Sequence, residues 1–203
     1  MASRFNAVTM AALVLAATVQ VAAALELGAT MPMTTVKMKS VDGKEIDLSD
    51  VAGPKGTLVI FSCNHCPWVK AWETRIAALG NELPTKGIGV VAINSNDPAA
   101  YPGDDYADMV ERAKARGFTF PYVVDSTSDV ARAFGATHTP EAFLFDRAGK
   151  LVYHGTIDDN AQDAAKVEHH YLRDAADALL AGKPILASET KSIGCSLKLR
   201  PRG

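Results

Sequence analysis

The sequence has few cysteines and no excess of basic residues. Its 203 residues include three cysteines, too few for a scaffold held together by disulfides, and a chain of this length can bury a core of its own. Lys and Arg number 21 against 23 Asp and Glu, so no surplus of positive charge is available to neutralise nucleic-acid phosphates. We therefore expect no nucleic-acid partner. The odd cysteine count leaves one thiol outside any single internal disulfide.

Charge is also scarce at the start of the chain, where Arg4 is the only charged residue before Glu26. The run between them is rich in Ala, Val and Leu and ends in the small residues 22–24, which is the pattern of a secretory signal peptide. We therefore predict a signal peptide over residues 1–24, cleavage after Ala24, and a periplasmic or secreted mature protein. The alternative is an uncleaved membrane anchor, and only in that case is a membrane a partner.

Short apolar strands alternate with helical patterns along the rest of the chain, without an internal repeat or a low-complexity linker. Unbroken apolar runs at 57–61 and 89–93 predict strands that are buried on both faces. An apolar stripe beginning at Trp68 predicts a helix. The order of elements indicates one α/β domain over residues 25–182, with a central mixed β-sheet flanked by helices on both faces, and an extended tail over residues 183–203.

The reactive groups of the chain are concentrated at Cys63 and Cys66, directly after the first of those strands. A helix is expected to begin here, and its unpaired backbone amides and dipole stabilise a thiolate, which lowers the pKa of the thiol. We expect Cys63 to be the exposed nucleophile and Cys66, one turn further on and facing inward, to be the resolving thiol. His65 lies between them and is expected to stabilise the Cys63 thiolate.

Two other uses of the cysteine pair stay open from the residues alone. One is a purely structural disulfide. The other is a copper or zinc site built from Cys63, Cys66 and either His65 or His138, although the sequence has no second Cys-x-x-Cys or His-x-x-x-His to complete it. The position between strand and helix favours redox chemistry, since a structural disulfide has no need of a helix N-terminus. Exchange between thiols needs no dissociable cofactor, so we predict neither a cofactor nor a resident metal.

These features together resemble the thioredoxin superfamily. The sequence combines a buried strand, a Cys-x-x-Cys at a helix start, and Thr139-Pro140 just before another predicted strand. The similarity extends to one branch, the thioredoxin-like redoxins grouped with alkyl hydroperoxide reductase and thiol-specific antioxidant proteins. The segments that carry this similarity are residues 63–70, 91–97, 117–122, 155–160 and 192–196.

The resemblance implies a thioredoxin-like fold and a thiol-disulfide oxidoreductase that exchanges disulfides with protein thiols and with an unknown redox partner. It implies a cis-proline at Pro140 facing the cysteine pair, and it assigns substrate binding to Thr139, Pro140 and Trp68. A thiol peroxidase using Cys63 is the alternative, but the Pro-x-x-x-Thr/Ser-x-x-Cys arrangement of peroxiredoxins is absent. The remaining thiol, Cys195, is a candidate third redox cysteine that a mobile tail brings to Cys63.

Overall fold

Residues 24–202, which the computed structural model describes, are built around one seven-stranded mixed sheet. In chain order the elements are β1 (Met38–Ser40), β2 (Glu45–Ile46), β3 (Gly56–Phe61), α1 (Pro67–Lys86), β4 (Ile88–Asn94), α2 (Tyr106–Ala115), β5 (Tyr122–Val124), α3 (Asp129–Phe134), β6 (His138–Thr139), β7 (Glu141–Asp146), β8 (Leu151–Gly155), α4 (Tyr171–Leu180) and β9 (Cys195–Ser196). The strands of the main sheet lie in the order β2-β1-β5-β4-β3-β7-β8, and β6 pairs with β9 outside it.

The centre of the sheet is parallel and its edges are antiparallel. β3 pairs in parallel with β4, and β4 with β5, through the crossover helices α1 and α2. β7 runs antiparallel to β3, with Phe61 opposite Glu141. The loops that follow β3 and β4 and the loop that precedes β7 therefore meet at one end of the sheet, which is where open α/β sheets place their functional groups.

Alternate residues of the central strands face two separate cores. In β3, Leu58 and Ile60 pack in the core that contains α1, α2 and α4, whereas Val59 and Phe61 pack in the core that contains α3. Every residue of β3 is buried, which explains why its sequence is an unbroken apolar run and not an alternating one. The predicted mixed sheet with helices on both faces is confirmed.

Helix α1 begins later than its sequence pattern indicates. Cys66 is its N-cap and Pro67 its first residue, so Cys63 lies in the turn before the helix. The buried stripe starts at Val69, whereas Trp68 is 36% exposed. The apolar stripe predicted from the sequence began one residue earlier, at Trp68, because residues three and four positions before Trp72 lie on the same side of a helix and either spacing fits the pattern.

The C-terminal residues return across the end of the sheet that carries the cysteine pair. Residues 188–200, which we term the C-terminal strap, form β9 and isolated bridges at Glu189 and Leu199. The backbone amide of Thr190 also donates to the carbonyl of His154 at 3.0 Å. The strap is therefore docked along its length, and this differs from the mobile tail expected from the sequence.

The predicted signal peptide lies almost entirely outside the described residues, which begin at residue 24. Its cleavage after Ala24 stays a prediction. Between residues 24 and 202, no helix combines the length and the apolar character needed to cross a membrane.

Candidate functional site

The two cysteines lie where β3 ends, buried against the loop that leads into β7. Cys63 Sγ is 3.3 Å from Thr139 Oγ1. The Cys66 sulfur lies 3.1 Å from the carbonyl oxygen of Thr139, to which the thiol donates when it is protonated. The peptide bond between Thr139 and Pro140 is cis, as the resemblance implied. One residue on the neighbouring loop therefore contacts both sulfurs of the pair.

The properties expected of the two thiols need correction. Cys63 is not exposed: it is 1% accessible and Cys66 is 0% accessible. Interaction with the Cys66 sulfur, burial, and the negative charge of Asp104 raise the pKa of Cys63. The pKa of Cys66 is lowered, because the Cys63 thiol donates a hydrogen bond to its thiolate. The Cys195 thiol and the Val69 amide stabilise this thiolate further, and together these interactions outweigh burial, which raises the pKa. The expected exposure of Cys63 was wrong because α1 begins at Pro67 with Cys66 as its N-cap, which leaves Cys63 in the buried turn before the helix.

Thiolate absorbance at 240 nm in the reduced protein is expected to follow Cys66. Because its pKa is lowered, its thiolate persists below neutral pH and is lost only as the pH falls through that lowered value, whereas an ordinary thiol ionises near about 8.5. Cys66→Ser should remove the low-pH step of a titration. Cys63→Ser is the matched control, since it removes the other thiol of the pair and keeps Cys66. A low-pH step that survives in Cys66→Ser and is lost in Cys63→Ser would contradict the assignment.

His65 is held beside the pair by a buried carboxylate, that of Asp104. Its Nδ1 lies 2.6 Å from Asp104 Oδ2, although the N–H is not aligned for a hydrogen bond, and its ring stacks on Tyr101 with 4.2 Å between centroids. Asp104 also accepts from the backbone amide of Asn64 and from Asn96 Nδ2, each at 2.7 Å. Asp104 therefore anchors the loop between the cysteines to the loop that follows β4.

Asp104 was not predicted from the sequence. The feature that could have identified Asp104 is the topology of the sheet, since the loops after two neighbouring parallel strands emerge at the same edge. His65 lies near Cys63, as expected, and Asp104 lies near both. In the described part of the chain, one potential ligand atom from each of these three residues lies within 4.8 Å of the other two. His138 is not part of this group. Three donors are fewer than a closed zinc site uses, and both oxygens of Asp104 already accept hydrogen bonds from the protein.

A second buried acid, Glu141, lies directly behind Thr139. Its carboxylate accepts from the backbone amides of residues 137–138 at 2.7 and 2.9 Å and contacts His154 Nε2 at 2.8 Å. Burial raises the pKa of Glu141, but the hydrogen bonds from His154 and from the two amides outweigh it, so the pKa is lowered. Ser192 donates to the same carboxylate at 3.1 Å. Glu141 therefore holds both the loop that carries Thr139 and the strap.

The third cysteine lies against Cys66 and not against Cys63, the expected partner. The sulfurs of Cys66 and Cys195 are 2.7 Å apart. The difference arises because β9 pairs with β6, which sets Cys195 opposite Thr139, whose carbonyl contacts Cys66. All three cysteines are present as free thiols. The chain therefore has a cluster of three sulfurs, of which Cys195 is the partly exposed member.

The residues assigned to substrate binding divide between surface and interior. Trp68 is exposed and lies at the start of α1. Thr139 and Pro140 are buried, because the backbone of Thr139 is paired with Cys195 in the β6–β9 ladder. The surface on which the resemblance places a substrate backbone is therefore covered by the strap in this structure.

Curated relatives of this chain include proteins named thiol-disulfide oxidoreductase ResA. The one from Halalkalibacterium halodurans is 27% identical over 116 residues, a match that covers 57% of this chain and 61% of the relative. The one from Geobacillus thermodenitrificans is 28% identical over 131 residues, covering 63% and 68%. The chain therefore matches less than two-thirds of the length of the first of these relatives.

Solved structures and a family match identify the group to which the chain belongs. A conserved, uncharacterized protein from Geobacillus kaustophilus superimposes with a TM-score of 0.81 at 39% identity, covering 88% of this chain and 94% of its own. A thioredoxin-like protein in its oxidised form, 20% identical, covers 76% and 97% with a TM-score of 0.61, so the predicted thioredoxin-like fold is confirmed. The AhpC/TSA family matches residues 27–154, more than half of the sequence. The chain therefore belongs to the AhpC/TSA family.

Proposed function

We propose that the protein is a thiol-disulfide oxidoreductase that exchanges disulfides with protein thiols through Cys63 and Cys66. The observation that carries this proposal is the contact of Thr139 with both sulfurs, at 3.3 Å and 3.1 Å. A purely structural pair needs no third group that touches each sulfur. The relatives named thiol-disulfide oxidoreductase support the same activity. The predicted signal peptide further favours a periplasmic or secreted location, where disulfide chemistry is permitted.

Exchange by the reduced pair requires both sulfurs. One attacks a partner disulfide, forms a mixed disulfide and releases one partner thiol. The second attacks the mixed disulfide, releases the other partner thiol, and leaves the Cys63–Cys66 bond, so two electrons pass to the partner. Because the pKa of Cys66 is lowered and that of Cys63 is raised, Cys66 supplies the thiolate and Cys63 the proton. His65 contacts Asp104 and so helps to position the loop between the two cysteines.

Partner binding is assigned to the surface around the pair. Trp68 is a large exposed aromatic residue at the start of α1, and aromatic side chains of this kind are common anchors in protein recognition. Thr139 and Pro140 form the inner wall, and they become available to a partner backbone when β9 separates from β6.

Oxidation of Cys195→Ser tests the proposal, since this variant keeps Cys63 and Cys66 as its two thiols. In dithiothreitol and glutathione redox buffers of increasing potential, the two thiols are expected to disappear together in one two-electron transition, with the loss of two hydrogens in the intact mass. The reduced wild-type protein should also reduce the disulfides of insulin. Cys63→Ser/Cys195→Ser is the control and should do neither. Two thiols that persist in every buffer would overturn the proposal.

Peroxide consumption distinguishes the proposed thiol-disulfide oxidoreductase from the alternative, a thiol peroxidase. Hydrogen peroxide is expected to be consumed more slowly than a protein disulfide, because the raised pKa of Cys63 leaves little thiolate there and thiolate is the reactive form. Faster consumption of peroxide, lost in Cys63→Ser, would replace the oxidoreductase proposal with a peroxidase.

A further inference from the structure

Cys195 is held in place by contacts on both sides of it in the chain. Before it, Ser192 donates to Glu141 at 3.1 Å. After it, the backbone amide of Leu197 donates to the carbonyl of Thr137 at 2.9 Å, and the amide of Lys198 donates to Asn96 Oδ1 at 2.8 Å. These contacts join the strap to the loop that carries Thr139 and to the loop that follows β4. The position of the Cys195 sulfur is therefore set by the fold.

Gly194 permits the close approach of the strap to Thr139. A Cβ atom built on Gly194 would lie 2.3 Å from the carbonyl oxygen of Thr139 and 2.7 Å from its carbonyl carbon, distances that no other residue can accept without moving the backbone. The residue that follows this contact is Cys195. The absence of a side chain at Gly194 is thus what lets the Cys195 sulfur come within 2.7 Å of Cys66.

One of the three cysteines is more accessible than the other two. Cys63 and Cys66 are at most 1% exposed, while Cys195 is partly exposed. Cys66 contacts Cys195 directly and packs in one buried cluster with Cys63. Cys66 therefore lies between a buried thiol and a thiol that reaches the surface.

We propose that Cys66 is the shared sulfur of two alternative internal disulfides, Cys63–Cys66 and Cys66–Cys195, and that Cys195 is the thiol through which a partner reaches the buried pair. This inference rests on the proposed exchange function and names the residue that meets the partner.

Transfer between the two internal disulfides needs no oxidant. The Cys195 thiolate attacks Cys66 Sγ, the Cys66–Cys195 bond forms, and the Cys63–Cys66 bond breaks. Cys63 leaves as a thiolate and takes up the proton that Cys195 gave up. A partner dithiol then attacks Cys195 Sγ, which releases Cys66, and its second thiol displaces Cys195. The partner leaves as a disulfide and the protein is reduced by two electrons, and the same steps in reverse oxidise the protein.

Disulfide formation in variants that lack one of the three cysteines tests the inference. Oxidised with diamide, Cys63→Ser is expected to lose both remaining thiols within one chain. Trypsin should then release residues 56–70 joined to residues 192–198, since Lys and Arg flank both segments. Cys66→Ser should keep both thiols, because the shared sulfur is missing. An internal disulfide in Cys66→Ser, or two free thiols in oxidised Cys63→Ser, would overturn the inference.

Cys195→Ser distinguishes failure of the inference from failure of the proposed function. If Cys195→Ser forms the Cys63–Cys66 disulfide and Cys63→Ser forms none, the exchange function stands and the relay through Cys195 is wrong. If neither variant forms a disulfide, both fail.

Gly194→Ala provides a test that keeps all three cysteines. The new methyl group should displace β9 and lower the fraction of the Cys66–Cys195 disulfide about tenfold, as expected for overpacking, while the Cys63–Cys66 disulfide still forms. Ser196→Ala is the matched control on the other side of Cys195, because it adds no atoms and keeps the backbone pairing with His138. Equal fractions in the two variants would overturn the proposed role of the strap.

Discussion

Replacing Asp158 with alanine is expected to lower the free energy of unfolding by about 3 kcal/mol, since a buried charge pair loses one partner. Asp158 is 2% exposed. Its carboxylate accepts from Trp72 Nε1 at 2.7 Å and from the guanidinium of Arg75. Without it, the indole N–H has no acceptor inside the core and Arg75 keeps only backbone carbonyls. Because Trp72 and Arg75 lie on α1 and Asp158 follows β8, the change also loosens the helix that begins at the cysteine pair.

Urea denaturation measures this effect. Asp177→Ala is the matched control: Asp177 is exposed on α4, and its replacement should change stability by no more than about 0.5 kcal/mol. Similar midpoints for the two variants would show that the Asp158 network does not stabilise the fold.

Asp104→Ala is expected to slow disulfide exchange by about 10²-fold, the loss that follows when a reactive group is misplaced by about 1 Å. The variant leaves the buried amides of Asn64 and Asn96 without their acceptor, at a cost of about 1–3 kcal/mol for each unsatisfied group. It also frees His65. The loop between the cysteines then has no fixed position relative to Thr139. Because the carboxylate charge is removed as well, the pKa of Cys63 should fall.

Asp105→Ala is the control for Asp104→Ala, since the two residues are adjacent in the chain. Asp105 caps α2 by accepting from the Asp108 amide at 2.9 Å, and its loss should cost about 1 kcal/mol without altering exchange. Rates of reduction of a model disulfide and titrations at 240 nm distinguish the variants. If both slow exchange equally, the effect of Asp104 is one of stability alone.

The parts of the fold that periodicity controls were predictable from the sequence. The buried strands β3 and β4 followed from unbroken apolar runs, and the existence of α1 from an apolar stripe at helical spacing, because burial on both faces and helical spacing are visible in the order of the residues. The thioredoxin-like fold and the family followed from the Cys-x-x-Cys and Thr139-Pro140. These features are local, so one sequence suffices to detect them.

The acids around the site were not predictable in the same way. Asp104, Glu141 and Asp158 are single polar residues at strand or loop boundaries, and nothing in their spacing distinguishes them from solvated turn residues. Their burial depends on which loops the sheet order brings together. The partner of Cys195 was missed for a similar reason, since the choice between Cys63 and Cys66 depends on the pairing of two-residue strands distant in the chain.

The pairing of β9 with β6 has a consequence for the choice of partners. An extended peptide that adds a strand beside Thr139 must compete with a segment already attached to the same chain. A tethered competitor acts at an effective concentration of the order of millimolar, so peptides with weak backbone affinity do not displace it. Under the proposed function, access then goes to proteins that bind tightly around Trp68 or that first form a bond to Cys195. The last residues of the chain thereby set an affinity threshold for its clients.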